Sequence, residues 1–228
     1  MTDGANKYPE GNIDFRKMDR VLRHRLRNLC AGVKMTIDRI AETTSKTHPQ
    51  IGSRCDIIKS ELDNLLTFTD RLDMLFDNLP DAQRKSLFET VSELRSFFVK
   101  NFPLCSLELN GPEVAVVFRH GSWLISVLRE LLLNAGAAAG PNGLVKFAWT
   151  DGPRISFTIS NQGKNIPSEI PLSPPQPFNT PQSRHDGIGL AIAFRICKET
   201  DSELIIDNSK ENSVTVNMKL PKEEICDE

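Results

Sequence analysis

A histidine, a carboxylate–amide pair and two glycine-bearing turns are the groups in this sequence whose types and spacing could do chemistry. His24 lies in the run Arg23-His24-Arg25-Leu26-Arg27-Asn28. An exposed imidazole is a competent nucleophile toward phosphorus. Glu130 and Asn134 stand four residues apart in the run from Leu128 to Ala135, so a helix places both on one face. A carboxylate and an amide oxygen are hard donors, suited to Mg²⁺ held mainly by phosphates. Asn161-Gln162-Gly163-Lys164-Asn165-Ile166-Pro167 follows an alternating apolar run. Asn and Gly turn a chain readily, and glycine admits close approach of a flat ring to the backbone. Asp186-Gly187-Ile188-Gly189-Leu190-Ala191-Ile192 opens a helical pattern. Free N–H groups and the helix dipole favour an anion there. Each signal is weak by itself, since a surface histidine, a polar helix edge, an ordinary turn and a helix start account for them equally well. Their order along the chain is the stronger feature.

These groups need elements to hold them, and the hydropathy pattern supplies candidates. Met18, Leu22, Leu26, Leu29, Val33, Ile37 and Ile40 recur every three or four residues, which predicts an amphipathic helix. At 100° per residue His24 falls roughly 190° from the centre of that stripe, facing solvent. Thr43–Gly52 breaks the period. A second stripe follows through Cys55, Ile58, Leu62, Leu65, Leu66, Leu72, Leu75, Phe76 and Leu79. Two such helices in a hairpin carry more apolar surface than the pair can cover, which predicts a homodimeric four-helix bundle.

Pro80-Asp81 is the predicted boundary, with Asp81 capping a helix through Leu87, Val91, Leu94, Phe97 and Phe98. The period then changes to two. Strands are predicted at 104–109 and 114–118 on either side of the turn Asn110-Gly111-Pro112, followed by a helix from Ser122 to Ala139. Residues 145–150 and 154–160 form a hairpin over Asp151-Gly152-Pro153, and a helix at 189–200 precedes strands at 203–207 and 213–220. Residues 164–186 hold six prolines and no strong period, the pattern of a lid. The acidic end from Lys222 to Glu228 is expected to fray. The fold class is α+β: an N-terminal helical hairpin, then an α/β sandwich with a mixed sheet under about three helices.

Composition removes several function classes. The 228 residues, 39% hydrophobic and 25% charged, suit one or two globular domains and exclude a fibrous or disordered chain. Formal charge is −2, so no global field recruits nucleic acid or membrane. No run approaches the ~20 apolar residues of a membrane span, and the polar start MTDGANKYPEGN has no signal-peptide core. Cys30, Cys55, Cys105, Cys197 and Cys226 form no CxxC pair, which predicts reduced thiols in a cytoplasmic protein. Charge is uneven, however: Arg16–Arg39 contains eight basic and two acidic residues. That face is either simply solvated or complements an acidic partner. No aromatic residues interleave it, so nucleic acid is not expected.

Taken in order, these groups resemble a two-component sensor histidine kinase from about Phe15 to Pro221. Arg23 to Asn28 is similar to the H box, Glu130 to Ala135 to the N box, and Asn161 to Pro167 to the first glycine box. Pro177-Phe178 is similar to the F box and Asp186 to Ile192 to the second glycine box. The resemblance implies a disordered N-terminus at 1–14, a dimerisation and histidine-phosphotransfer hairpin at 15–79, and an ATP-binding domain of the histidine-kinase ATPase type at 81–221. It implies autophosphorylation of His24 from ATP, with Glu130 orienting or activating the imidazole and Asn134 binding Mg²⁺. Asn161, Gly163, Gly187, Gly189 and Leu190 would hold the nucleotide, Asn161 at adenine. The implied partners are the aspartate-bearing receiver domain of a response regulator, a second copy of the chain and a separate sensor protein.

The sequence departs from the family pattern at several places. Arg25 follows the histidine where the family usually has an acid, and Asn161 replaces an aspartate that accepts from the adenine amino group. Asn165 replaces the second glycine of its box, His185 replaces a glycine before Gly187, and Lys210-Glu211-Asn212 lacks a glycine pair. An amide loses the charge-assisted part of a hydrogen bond, which weakens ATP binding by roughly tenfold. The alternative implied by these softened contacts is an ATP-independent histidine phosphotransferase in a phosphorelay. Arg23, Arg25 and Arg27 around His24 are expected to meet the acidic face of the receiver.

Overall fold

A computed structural model describes residues 15–44, 48–77, 79–151, 154–163, 165–166, 175, 177–178 and 186–226. The N-terminus at 1–14 and most of the proline-rich loop at 164–186 lie outside the described residues. The chain divides into two compact units, Met1–Asn78 and Leu79–Glu228.

The first unit is a hairpin of α1 (Phe15–Thr44) and α2 (Pro49–Phe76). α1 continues into the segment expected to break it. The hydroxyls of Thr43 and Thr44 donate back to the Arg39 and Ile40 carbonyls. Pro49 opens α2, where a missing N–H has no intrahelical partner to lose. Gly52 is therefore helical, and Leu79 falls beyond the helix, in the second unit.

The inner face of α1 is not its most apolar face. Arg23, Cys30 and Ile37, seven residues apart, are buried, with Cys55 and Thr69 the buried positions of α2. Around them runs a ladder of ion pairs: Arg20–Asp77, Arg23 to Asp73 and Asp77, Arg27 to Asp70 and Asp73, Lys34–Asp63 and Lys59–Asp38. Partner numbers fall on α2 as they rise on α1, so the ladder pins the antiparallel register. Leu22 and Leu29 of the apolar stripe remain 52% and 63% exposed. Val33, Met35 and Ile40 are exposed as well, as are Ile57 and Ile58 of α2.

In the second unit, β1 (Lys85–Ser86), β3 (Val117–Phe118) and β8 (Ile225–Cys226) form a small sheet. The main sheet contains β2 (Ser106–Asn110), β4 (Leu144–Thr150), β5 (Ser156–Gln162), β6 (Glu203–Asp207) and β7 (Ser213–Lys219), in the order β2-β4-β5-β7-β6. β2 runs parallel to β4 and the other pairs are antiparallel. Helices α3 (Leu87–Asn101), α4 (Gly121–Ala139) and α5 (Gly189–Glu199) complete the unit, α4 packing on β4, β5 and both other helices. Phe98, Phe118, Phe147, Phe157, Leu128, Leu132 and Ile192 fill the core.

Three expectations are corrected in this unit. Ser86, not Asp81, caps α3: it accepts from the Glu89 N–H while Glu89 accepts from the Ser86 N–H, a reciprocal capping box. Residues 104–109 and 114–118 are not two strands flanking a turn at 110–112. β2 pairs with β4 and only Val117–Phe118 is strand, in the other sheet. A side chain at Gly111 would meet the Trp149 ring at 2.3 Å, so this glycine permits a close crossing. The C-terminal segment is tied down rather than frayed. β8 pairs with β3, the Arg119 N–H donates to the Glu224 carbonyl, and the His120 Nδ1 lies 2.8 Å from the Glu224 carboxylate.

Candidate nucleotide and phosphotransfer sites

Within the first unit, His24 lies on the solvent face of α1, as the helical period predicts. Asn28, one turn later, places Nδ2 3.3 Å from His24 Nε2. The arginines around it do not behave as a common docking face. Arg23 is 2% exposed and bonded to Asp73 and Asp77, and Arg27 is committed to Asp70 and Asp73. Hydrogen bonds from Arg20 hold the Asp77 carboxyl below the usual carboxylate range, burial opposing and Arg23 adding to the effect. Burial works against the charge of Arg27, but the hydrogen bonds to Asp73 and Asp70 outweigh it and raise its pKa. The basic excess of α1 is thus answered largely inside the hairpin, and Arg25 is the arginine of the three left exposed.

In the second unit, α4 buries Leu124, Leu128, Leu131, Leu132 and Ala135. Glu130 is buried beside them at 7% exposure, whereas Asn134, one turn on, is exposed. The pair therefore spans a boundary, a carboxylate inside and an amide at the rim. Gly140, at φ 71°, closes the helix.

Asn161 occupies the inward face of β5 in alternation with Phe157 and Ile159. It is 6% exposed, and its Nδ2 has no hydrogen-bond partner among the described residues. Its register neighbours are Val145 on β4 and Val214 on β7, whose side chains have nothing to offer an amide. A buried amide left unpaired costs about 1–3 kcal/mol. Gly163 has a structural reason to be glycine: a Cβ there would lie 2.0 Å from the Ala138 carbonyl of α4. The segment after Asn161 thus lies directly against the last turn of α4.

Asn165, where the family pattern has glycine, is a brace. Its Nδ2 donates to the carbonyls of Asn208 and Lys210 and its Oδ1 accepts from the Asn212 N–H. Asn208 completes the brace, its Oδ1 accepting from the Ile166 N–H and its Nδ2 donating to the Ile166 carbonyl. Asn212 adopts the left-handed conformation, φ 54°, in a segment that lacks a glycine pair. Asn208 escaped the sequence reading because an asparagine after a strand signals only a turn.

Gly187, at φ 67°, needs no side chain, and its carbonyl accepts from the Phe178 N–H. α5 then starts at Gly189 behind Ile188, which supplies no capping side chain. Leu190 is half-buried in its first turn. The structure therefore places Glu130 and Asn134 on α4, Asn161 on β5 with Gly163 just after it, and Gly189 and Leu190 on α5 with Gly187 just before it, α4 packing against both other elements. His24 belongs to the other unit. An open apolar groove between α3 and the 112–115 segment, lined by Leu87, Phe88, Val91, Val114 and Trp149, contains none of these residues.

Residues 120–224 match the family described as histidine kinase-, DNA gyrase B- and HSP90-like ATPase. Sporulation kinase A of Bacillus subtilis (strain 168) is 23% identical over 181 residues, which are 73% of this chain and 28% of that protein. The sensory histidine kinase/phosphatase NtrB of Rhizobium leguminosarum bv. phaseoli is 25% identical over 181 residues, 70% of this chain and 46% of that one. The matched domain and these relatives support the two-component sensor histidine kinase family, with an ATP-binding domain, as the kinship of this chain. It spans less than half the length of these two relatives. The fold agrees with the crystal structure of full-length ShkA in complex with AMPPNP, at a TM-score of 0.71 and 17% identity, covering 90% of this chain and 46% of that one. The residues that resemble the N box sit on α4, those that resemble the second glycine box run into the start of α5, and those that resemble the first glycine box begin at the end of β5.

The Asn161 amide fits a nucleotide: its buried Nδ2 has no partner among the described residues, and a base edge would complete it. Among the described residues there is no group of three or more His, Cys, Asp and Glu placed to hold a metal ion. All five cysteines are free, and burial pushes the Cys197 thiol up to about 12. No described helix is long and apolar enough to cross a membrane.

Proposed function

We propose that this chain is a histidine kinase core that phosphorylates His24 from ATP and passes the phosphoryl group to an aspartate of a response-regulator receiver domain. The buried, unpartnered amide of Asn161 carries the nucleotide half of this reading. The exposed His24 on α1 supports the transfer half. We assign dimerisation and phosphotransfer to residues 15–79 and nucleotide binding to 81–221. The exposed stripe of Leu22, Leu29, Val33 and Ile40 supports a homodimer, since one hairpin leaves it in water. The free thiols support a cytoplasmic site of action.

The roles follow from the chemistry of each group. We assign the attack on the γ-phosphorus to the His24 imidazole; its Nε2, 3.3 Å from the Asn28 Nδ2, must leave that contact for its lone pair to reach phosphorus. The new N–P bond forms as the bond from phosphorus to the leaving oxygen of ADP breaks. In the second transfer an aspartate oxygen forms the O–P bond and the N–P bond breaks. Glu130 is assigned to orient or activate the imidazole. Asn134, exposed at the rim, supplies one oxygen to Mg²⁺, whose other ligands would come from phosphates and water. Mg²⁺, when bound, neutralises phosphate charge. Gly187, Gly189 and Leu190 present backbone to the phosphates at the uncapped start of α5, and Gly163 lets the base-side segment close on α4.

Calorimetric titration with ATP·Mg²⁺, followed by an assay for acid-labile phosphate with His24→Ala as control, tests this function. Micromolar binding and phosphate that disappears in His24→Ala are expected. Arg25, exposed beside His24, favours a second reading, an ATP-independent histidine phosphotransferase. No binding at millimolar ATP, with His24 still accepting phosphoryl groups from a phosphorylated receiver, would overturn the kinase in favour of that reading.

A further inference from the structure

We propose, building on the nucleotide site above, that Asn161 makes this site accept 6-oxo purine nucleotides about as well as 6-amino ones. The observation is the side-chain amide of Asn161, 6% exposed, whose Nδ2 meets no acceptor among the described residues. The backbone around it cannot withdraw to find one. Asn161 is paired on both sides within the sheet, and the Gly163 N–H is tied to the Asn212 carbonyl. Gly163 also lies against the Ala138 carbonyl, and Asn165 is braced to the 208–212 turn.

What such a fixed group can select depends on its donors and acceptors. A carboxylate at this position only accepts, so it rewards an exocyclic amino group and repels a carbonyl. An amide carries one donor and one acceptor on nearly isosteric atoms, and a half-turn about its last torsion exchanges them. In one orientation it accepts from a 6-amino group and donates to unprotonated N1, the edge of adenine. In the other it donates to a 6-oxo group and accepts from N1–H, the edge of hypoxanthine and guanine. Both pairings satisfy the same buried amide, and the apolar neighbours Val145 and Val214 favour neither.

Inosine triphosphate is the sharpest probe, because its base differs from that of ATP only at position 6 and the N1 proton. The experiment is calorimetric titration of the full chain with ATP·Mg²⁺ and with ITP·Mg²⁺, before and after Asn161→Asp. The wild-type Kd values should lie within about fivefold of each other, and Asn161→Asp should widen the ratio in favour of ATP by at least about tenfold. A wild-type preference for ATP above about thirtyfold overturns the proposal, as does an unchanged ratio in a folded Asn161→Asp protein. If that variant does not fold, the wild-type ratio alone decides. Loss of ITP binding with ATP binding intact defeats this inference only. Absence of binding by either nucleotide defeats the ATP-binding reading with it.

Discussion

The hairpin and the sandwich are built on opposite principles. Among the described residues of the hairpin, Cys30, Ile37 and Cys55 are the buried apolar side chains, and its register is written in ion pairs. The sandwich buries a ring cluster of Phe118, Phe147 and Phe157 and the apolar faces of α4 and α5. Ion pairs specify alignment but contribute little net stability, whereas apolar burial is the main driving force of folding. A unit that relies on charge for register leaves its apolar stripe for another surface. A unit with its own core leaves a different signature, polar atoms buried without a partner among the described residues, which here are Arg129 Nε and Asn161 Nδ2.

Four perturbations separate the two units, in order of expected size. Phe157→Ala removes a fully buried ring that touches Phe118 and Phe147, and should cost the sandwich about 4 kcal/mol. Differential scanning calorimetry would show its transition falling while the hairpin helices persist; joint loss of both would contradict independent units. Next, Arg23→Ala leaves Asp73 and Asp77 without their buried partner and should cost the hairpin about 3 kcal/mol. Arg23→Lys should restore little of it, because an ammonium cannot bridge two carboxylates as a guanidinium fork does. Denaturant titration followed by far-UV circular dichroism would read both variants.

Leu29→Asp tests the exposed stripe. In a lone hairpin a residue 63% exposed tolerates a charge, but in a dimer seam the loss is about 2 kcal/mol per subunit. Sedimentation velocity should show this variant monomeric where the wild type is dimeric; an unchanged association state would remove the four-helix bundle. The smallest effect is on pH. Asp77 has a depressed pKa in the folded hairpin, so its contribution is present above the ordinary aspartate value of about 3.9 and is lost as pH falls through the lower folded value. Hairpin helicity should therefore fade in that acid window and sooner at high salt, with less change in the sandwich.

Much of this arrangement was legible in the sequence because it is local. The three-to-four residue period set α1, α2 and α4, and the same arithmetic put His24 on the solvent side of α1. Alternation located β4, β5, β6 and β7 within one or two residues. The order of the boxes pointed to the family. Local rules also produced the misses. Asp81 is a good cap by type, but the box formed by Ser86 and Glu89 satisfies two backbone donors. Of two predicted strands flanking a turn, the second shrinks to Val117–Phe118, and β2 finds β4 across an intervening helix.

By itself, then, the sequence determined most of the elements and the resemblance to a family, since helices and strands are specified by neighbours a few residues away. Tertiary structure decided which faces meet and what each polar group ends up touching, because those partners lie dozens of residues apart. Arg23 counts as a surface arginine until Asp73 and Asp77 close over it, and the acidic C-terminus looks frayed until His120 receives Glu224. Asn161 is a turn asparagine in sequence. Only the fold shows it buried between Val145 and Val214, its Nδ2 without a partner among the described residues.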